Sequence, residues 1–140
     1  MDLSLVIDRL KATLAGFKDI GGAADLGAAM AGAVVVPAAY VVPLADSAQP
    51  SQLTGVHEQL VTQSFGVILV VSNRRDAKGA AALGELAPLR LQVRAALTGW
   101  APTTEGLPVE MAGGRLLNLD GDGRLWWSDE FILKTYYRSA

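Results

Sequence analysis

Leu3, Val6, Ile7, Leu10, Leu14 and Phe17 recur at spacings of three and four, and Asp8, Arg9, Lys11 and Lys18 fall between them. That spacing predicts an amphipathic helix with one buried stripe. Gly21-Gly22 is expected to close it, because glycine takes the left-handed conformation that ends helices. Ala23 to Ala31 (AADLGAAMA) predicts a second, short, alanine-rich helix, weakened by Gly27. Val34 to Val36 and Tyr40 to Leu44 are β-branched or aromatic and favour extended chain. Pro37 and Pro43 bar a central-strand position where they stand, which predicts an edge or a break in pairing. Asp46 to Gly55 is rich in Ser, Gln, Pro and Asp and reads as a loop.

The strongest strand signal runs from Val56 to Ser72. Val61, Phe65 and Val67 share one face, and the run Val67–Val71 (VILVV) is apolar on both, as expected of a strand covered on two sides. The length predicts a bend or bulge near Gly66. Asn73 to Gly79 is a polar turn, and Ala80 to Thr98 predicts a helix with Leu86, Leu89, Val93, Ala96 and Leu97 on one face and Arg90 and Arg94 off it. Pro88 requires that helix to kink or to begin its regular part there, and Gly99 follows as a C-cap. After Trp100-Ala101-Pro102 a polar loop runs to Leu107. Four short strands are then expected at Val109–Met111, Arg115–Leu119, Arg124–Trp127 and Glu130–Tyr137, with turns at Gly113-Gly114 and Asp120–Gly123. The order of elements predicts one α+β domain over residues 1–140, a mostly antiparallel sheet with two to three helices packed on one face. No internal repeat is visible.

Composition narrows the function classes. Charged residues are 19% and hydrophobic residues 51% of the 140. A charge share below the usual quarter or so hints that part of the surface is covered by other subunits. A net charge of −2 argues against a nucleic-acid binder driven by phosphate contacts, and no sequence-specific nucleic acid is expected. The absence of cysteine removes disulfides and thiolate metal sites. Acidic and basic residues interrupt the N-terminal apolar positions, so no signal peptide is expected. The longest apolar stretch, Ala31 to Leu44, is broken by two prolines and too short for a spanning helix, so no membrane is expected and synthesis is expected in the cytoplasm.

Candidate chemistry is sparse. His57 is the one histidine, and Ser64, seven positions on, falls on the opposite face of the strand, so no catalytic pair forms. Asn118 to Gly123 resembles the opening of a calcium loop, and Asp129 stands at its twelfth position. The expected strands on both sides favour a hairpin turn instead. The glycine pairs lack phosphate-loop spacing, and no acid/base pair can be named, so no catalytic residue, metal or cofactor is expected. Arg74, Arg75 and Lys78 make a small basic cluster on a turn. Trp100, Trp126, Trp127, Phe131, Tyr136 and Tyr137 fall in the last third, and the adjacent Trp126 and Trp127 must point to opposite faces of their strand. One of the two can enter the core, while the other is covered or offered to a partner.

Several segments, taken in order, resemble one family. They are Gly21–Leu26 (GGAADL), Pro37–Leu44 (PAAYVVPL), Gln59–Thr62 (QLVT), Phe65–Val71 (FGVILVV), Asp76–Gly79 (DAKG), Val93–Trp100 (VRAALTGW), Gly113–Leu117 (GGRLL) and Leu125–Phe131 (LWWSDEF). Together they resemble the tail terminator proteins of tailed bacteriophages and prophages over nearly the whole chain. The resemblance implies a non-enzymatic virion protein without cofactor. Its copies would form a homo-oligomeric ring, typically a hexamer, on the end of the tail tube. The ring would stop polymerisation and join the head, with the tail tube protein and a head–tail connector protein as partners. Another neck or connector protein of the virion is the alternative. A ring needs two different matching patches on each subunit. The candidates are the Asp46–Gly55 loop with Asp46 and Gln52, the turn with Arg74, Arg75 and Lys78, and the strand with Trp126 and Trp127.

Overall fold

The computed structural model describes residues 2–72, 80–104, 106–121 and 123–139. These residues form three helices and a five-stranded sheet: α1 (Ser4–Thr13), β1 (Asp19–Gly21), α2 (Ala23–Met30), β2 (Ala38–Ala48), β3 (His57–Ser72), α3 (Ala80–Leu97), β4 (Glu110–Leu119) and β5 (Arg124–Ser139). The strand order is β1-β2-β3-β5-β4. β1 runs parallel to β2, and the other pairings are antiparallel. The fold is the expected α+β.

The alternation along β3 divides the core. Phe65, Val67, Leu69 and Val71 face α1 and α3, meeting Val6, Leu10, Leu86, Val93 and Leu97. Ile68 and Val70 face the other way, toward Ala29 of α2 together with Tyr40 and Trp126. Two helices therefore share one face of the sheet, and α2 covers part of the opposite face. A run apolar at every position is what a strand buried on both sides requires.

The first helix is shorter than its periodicity. It ends at Thr13, Leu14 is extended, and Gly16 takes φ of +85°. Leu14 and Phe17 still pack on the same core from beyond the helix, because a loop returning along the helix can present apolar residues to the surface the stripe faces. Asp19 to Gly21 pair with Ala38 to Tyr40 as β1, a strand the periodicity did not announce, and Lys18 N–H donates to Pro37 C=O at 2.8 Å. Tyr40 donates from its hydroxyl to Asp19 Oδ2 at 2.9 Å. Burial, followed by that carboxylate, holds the Tyr40 phenol far above its ordinary pKa, so it stays a donor across the physiological range.

Three further expectations are corrected by pairing. β2 continues through Ala48, where Asp46, Ser47 and Ala48 oppose Gln63, Thr62 and Val61, so the loop begins only at Gln49. The irregularity expected at Gly66 lies on β2, at a shift between Pro43 and Ala45. β3 itself pairs with β5 without a shift from His57 to Ser72. β2 is flanked by β1 only at its start, so Pro43 sits where one side of the strand is open, as a residue without an N–H requires. The four short C-terminal strands are two long ones. Gly113-Gly114 is no turn but part of β4, beside a register shift between Met111 and Gly113. Ser128 and Asp129 looked like a break in β5, but both are buried, Asp129 because Arg90 pairs with it.

α3 runs as one element from Ala80 to Leu97 with Pro88 inside it, rather than starting at the proline. Pro88 is exposed. It removes a helix hydrogen bond and crowds the carbonyl of Gly84, four residues earlier. Replacing Pro88 with alanine is expected to raise stability by about 1–2 kcal/mol, the helix gain being partly offset by a freer unfolded chain. Urea denaturation of the two proteins measures this, and an unchanged or lowered midpoint would show that the helix does not need the missing bond.

Candidate assembly surface

β4 is the outermost strand of the sheet, and all ten of its residues are exposed. A long open edge presents unpaired backbone donors and acceptors, and monomers usually guard such edges with charge, proline or brevity. Apart from two register shifts along the strand, the guard here is thin. Glu110 and Arg115 are the charged residues of β4, while Met111 and Leu116 are 51% and 53% exposed and Leu117 and Leu119 nearly as much. Pairing to Phe131, Trp127 and Leu125 puts Met111, Leu116 and Leu119 on the α1/α3 face. Leu117 stands at a second register shift and lines a groove on the α2 face with Leu26, Met30, Ile68 and Trp126.

A charged network supports this edge from below. Asp129 of β5 is 1% exposed and accepts from Arg90 Nη2 at 2.9 Å, from Arg90 Nε at 3.1 Å and from Trp127 Nε1 at 3.0 Å. Arg94, one turn further along α3, places Nη2 at 3.9 Å from the same carboxylate. The Arg90 guanidinium lies over the Trp127 ring at 4.3 Å, a cation–π contact. Gly114 leaves the room: a Cβ there would lie 2.6 Å from Asp129 Oδ1, 3.0 Å from Arg90 Nη2 and 3.1 Å from Trp127. Two arginines thus share one carboxylate beneath a glycine in the open strand. A parallel tie joins the helices, where Arg9 Nε of α1 donates to Ala96 C=O at 3.0 Å and its guanidinium lies 5.3 Å over Trp100. That places a cation at the C-terminus of α3, where the helix dipole favours it.

The expected partner residues are spread along the sheet. Trp126 is buried on the α2 face, and its Nε1 donates to Asp120 Oδ2 at 2.8 Å. Trp127 is half-buried on the opposite face under Arg90. Asp46 is exposed near the end of β2, level with Gln63 and Leu133, roughly 20 Å along the sheet from the tryptophans at a rise of about 3.3 Å per residue. Gln52 is exposed in the following loop with Leu53 and Val56. Arg74, Arg75 and Lys78 lie outside the described residues. Tyr136 and Tyr137 stand exposed on the far half of β5, where Arg138 also pairs with Glu58. The open apolar residues of β4 carried no distinct signal in the sequence, since Leu116-Leu117 reads equally well as a buried pair.

The candidate chemistry resolves into structural contacts. His57 Nε2 meets Gln59 Oε1 at 2.6 Å, while Ser64 Oγ donates to Ala45 C=O at 3.2 Å, and the two do not meet. Asp120 accepts from Arg124 N–H at 3.0 Å, and Gly123 takes φ of +75°, which makes Asp120–Arg124 the hairpin turn between β4 and β5. Asp129 faces Arg90, away from that turn; Asp122 lies outside the described residues. Among the described residues no group of three potential metal-binding side chains gathers, and no helix is long and apolar enough to cross a membrane.

Compared with models of known families, residues 1–139 match the one described as phage tail terminator protein. No curated protein matches the chain.

Proposed function

Because the chain belongs to the phage tail terminator family, we propose that six copies of this tail structural protein close into a ring on the end of the assembled tail tube. The ring blocks addition of further tube subunits and gives the head–tail connector a surface to join. The reading involves no catalysis and no cofactor. It places the protein in the host cytoplasm during assembly and in the tail of the finished virion.

The observation that carries the reading is the open edge of β4, a ten-residue strand with apolar side chains that a monomer would be expected to guard. The surface we assign to partners also takes in Asp46, Gln52, Arg74, Arg75, Lys78, and the hairpin with Trp126 and Trp127. Trp126 and Trp127 act there by holding the hairpin in shape, since both are largely engaged within the subunit.

Light scattering after size exclusion, with and without assembled tail tubes, tests this. The expected result is a mass six times that of the 14.7 kDa subunit, or binding restricted to tube ends. A strict monomer that ignores tube ends would overturn it.

A further inference from the structure

Resting on the ring reading above, we infer that neighbouring copies join through their sheets, β4 of one copy pairing antiparallel with the open half of β2 of the next. Asp46 of that next copy then reaches the Arg90–Arg94 pair beneath Gly114.

Each sheet has two unequal open edges. On one side all of β4 is free of pairing among the described residues. On the other, β1 covers only Ala38 to Tyr40, and the outer side of β2 is open from there to Ala48, with Pro43 to Ala48 exposed. A cyclic ring requires two different patches that match when every copy keeps the same orientation. The strand senses satisfy this. β2 and β5 run against β3, and β4 runs with it, so β4 meets the β2 of an equally oriented neighbour in the antiparallel sense.

The lengths agree as well. Between its two register shifts β4 offers a regular stretch, Gly113 to Leu116. Beyond the shift at Leu44, β2 offers Ala45 to Ala48. Gly113 and Gly114 on one strand and Ala45, Ser47 and Ala48 on the other are small and leave room between the two copies. The faces select a register. Arg115 opposes Ser128 on the α2 face, as Ala45 opposes Ser64, while Gly114 and Asp46 oppose Asp129 and Gln63 on the helical face. Pairing Arg115 with Ala45 therefore sets Gly114 against Asp46.

This register implies a tilt that can be checked. Within one subunit Gly114 is level with Asp129, and Asp46 is level, across β3, with Leu133, a stagger of four residues. At about 3.3 Å per residue along a strand and about 4.8 Å between strands, that stagger over the four strands β2, β3, β5 and β4 is an inclination of about 35°. Closed sheets run at about 35–45°.

Charge completes the match. Arg90 and Arg94 share the single carboxylate of Asp129, and Arg94 remains 37% exposed. Asp46 forms no ion pair with any described residue of its own chain. Set against Gly114, which has no side chain to intervene, its carboxylate meets the surplus guanidinium.

The chain has no cysteine, so introduced pairs report cleanly. The double variant Ala45→Cys/Arg115→Cys, oxidised with and without tail tubes, is expected to give a ladder of covalent oligomers ending at the ring, and each single variant none beyond a dimer. Asp46→Lys is expected to weaken ring formation about tenfold or more, as loss of a buried interfacial pair does. A wild-type ring by light scattering with no ladder from the double variant would overturn the edge pairing and leave the ring reading standing. A ladder with Asp46→Lys assembling normally would overturn the Asp46 contact. A wild type that forms no ring under either condition would remove the reading on which this inference rests.

Discussion

Asp129→Ala is expected to destabilise the subunit by about 2–3 kcal/mol, below the roughly 3–5 kcal/mol usual for breaking a buried ion pair because the arginines left behind can turn to water. The substitution strips acceptors from three donors at once: the Arg90 guanidinium, the Trp127 indole N–H and the more distant Arg94. Arg90 is 24% exposed and Arg94 37%, so neither stays fully stranded, whereas the indole N–H loses its partner within the packed face. The corresponding fall in melting temperature is roughly 6–12 °C for a domain of this size. Asp129→Asn retains the shape and one acceptor oxygen and should fall between the two. Thermal melting and urea denaturation measure the effect. A melting temperature within about 2 °C of the parent would mean that packing alone holds α3 to β5.

Phe131→Ala is expected to cost more, about 3–5 kcal/mol. Phe131 is 1% exposed and stacks on Phe65 with ring centroids 5.6 Å apart and planes 21° from parallel. The pair sits where β3 and β5 face α1 and α3, so truncation leaves a cavity that the two central strands cannot close without breaking their register. A domain with the usual net stability of about 5–15 kcal/mol would be left marginal. Phe131→Leu should cost under about 1.5 kcal/mol, since most of the volume is retained. The double variant Phe65→Ala/Phe131→Ala should cost less than the sum of the singles, because the first truncation already removes the contact between the rings. Strict additivity in denaturant unfolding would show that the rings act separately.

Several elements were legible because their physics is local. The stripe through Leu86, Val93 and Leu97 follows helical spacing, and Val67 to Val71 reads as a strand covered on both sides. Gly99, with φ of +82°, ends α3 where a glycine was expected to. The opposite orientations of Trp126 and Trp127 follow from strand geometry alone. Where reading along the chain misled, a long-range partner had decided the outcome. Gly113-Gly114 looked like a turn, yet β5 supplies the pairing that makes it strand, and the Asp129 cluster supplies the reason for glycine. Asp46 looked like loop, yet Gln63 fixes it as strand. The length of α1 was overestimated because apolar spacing continues past the helix wherever the following chain still lines the core.

By itself the sequence determined the α+β class, the buried stripes of α1 and α3, the central strand β3 and a family resemblance spread over nearly the whole chain. The first three rest on periodicity or on residue types whose preferences act within a few positions, and the resemblance on short motifs that recur in order. Only the tertiary structure decided which strands are edges, that α2 covers the opposite face from α1 and α3, and that Arg90, Arg94, Trp127 and Gly114 meet around Asp129. Pro43 marked an open side on β2, but nothing in the sequence of β4 marks it as the other edge. Arg90 and Asp129 lie 39 positions apart, and only the docking of α3 on the sheet brings them within 3 Å.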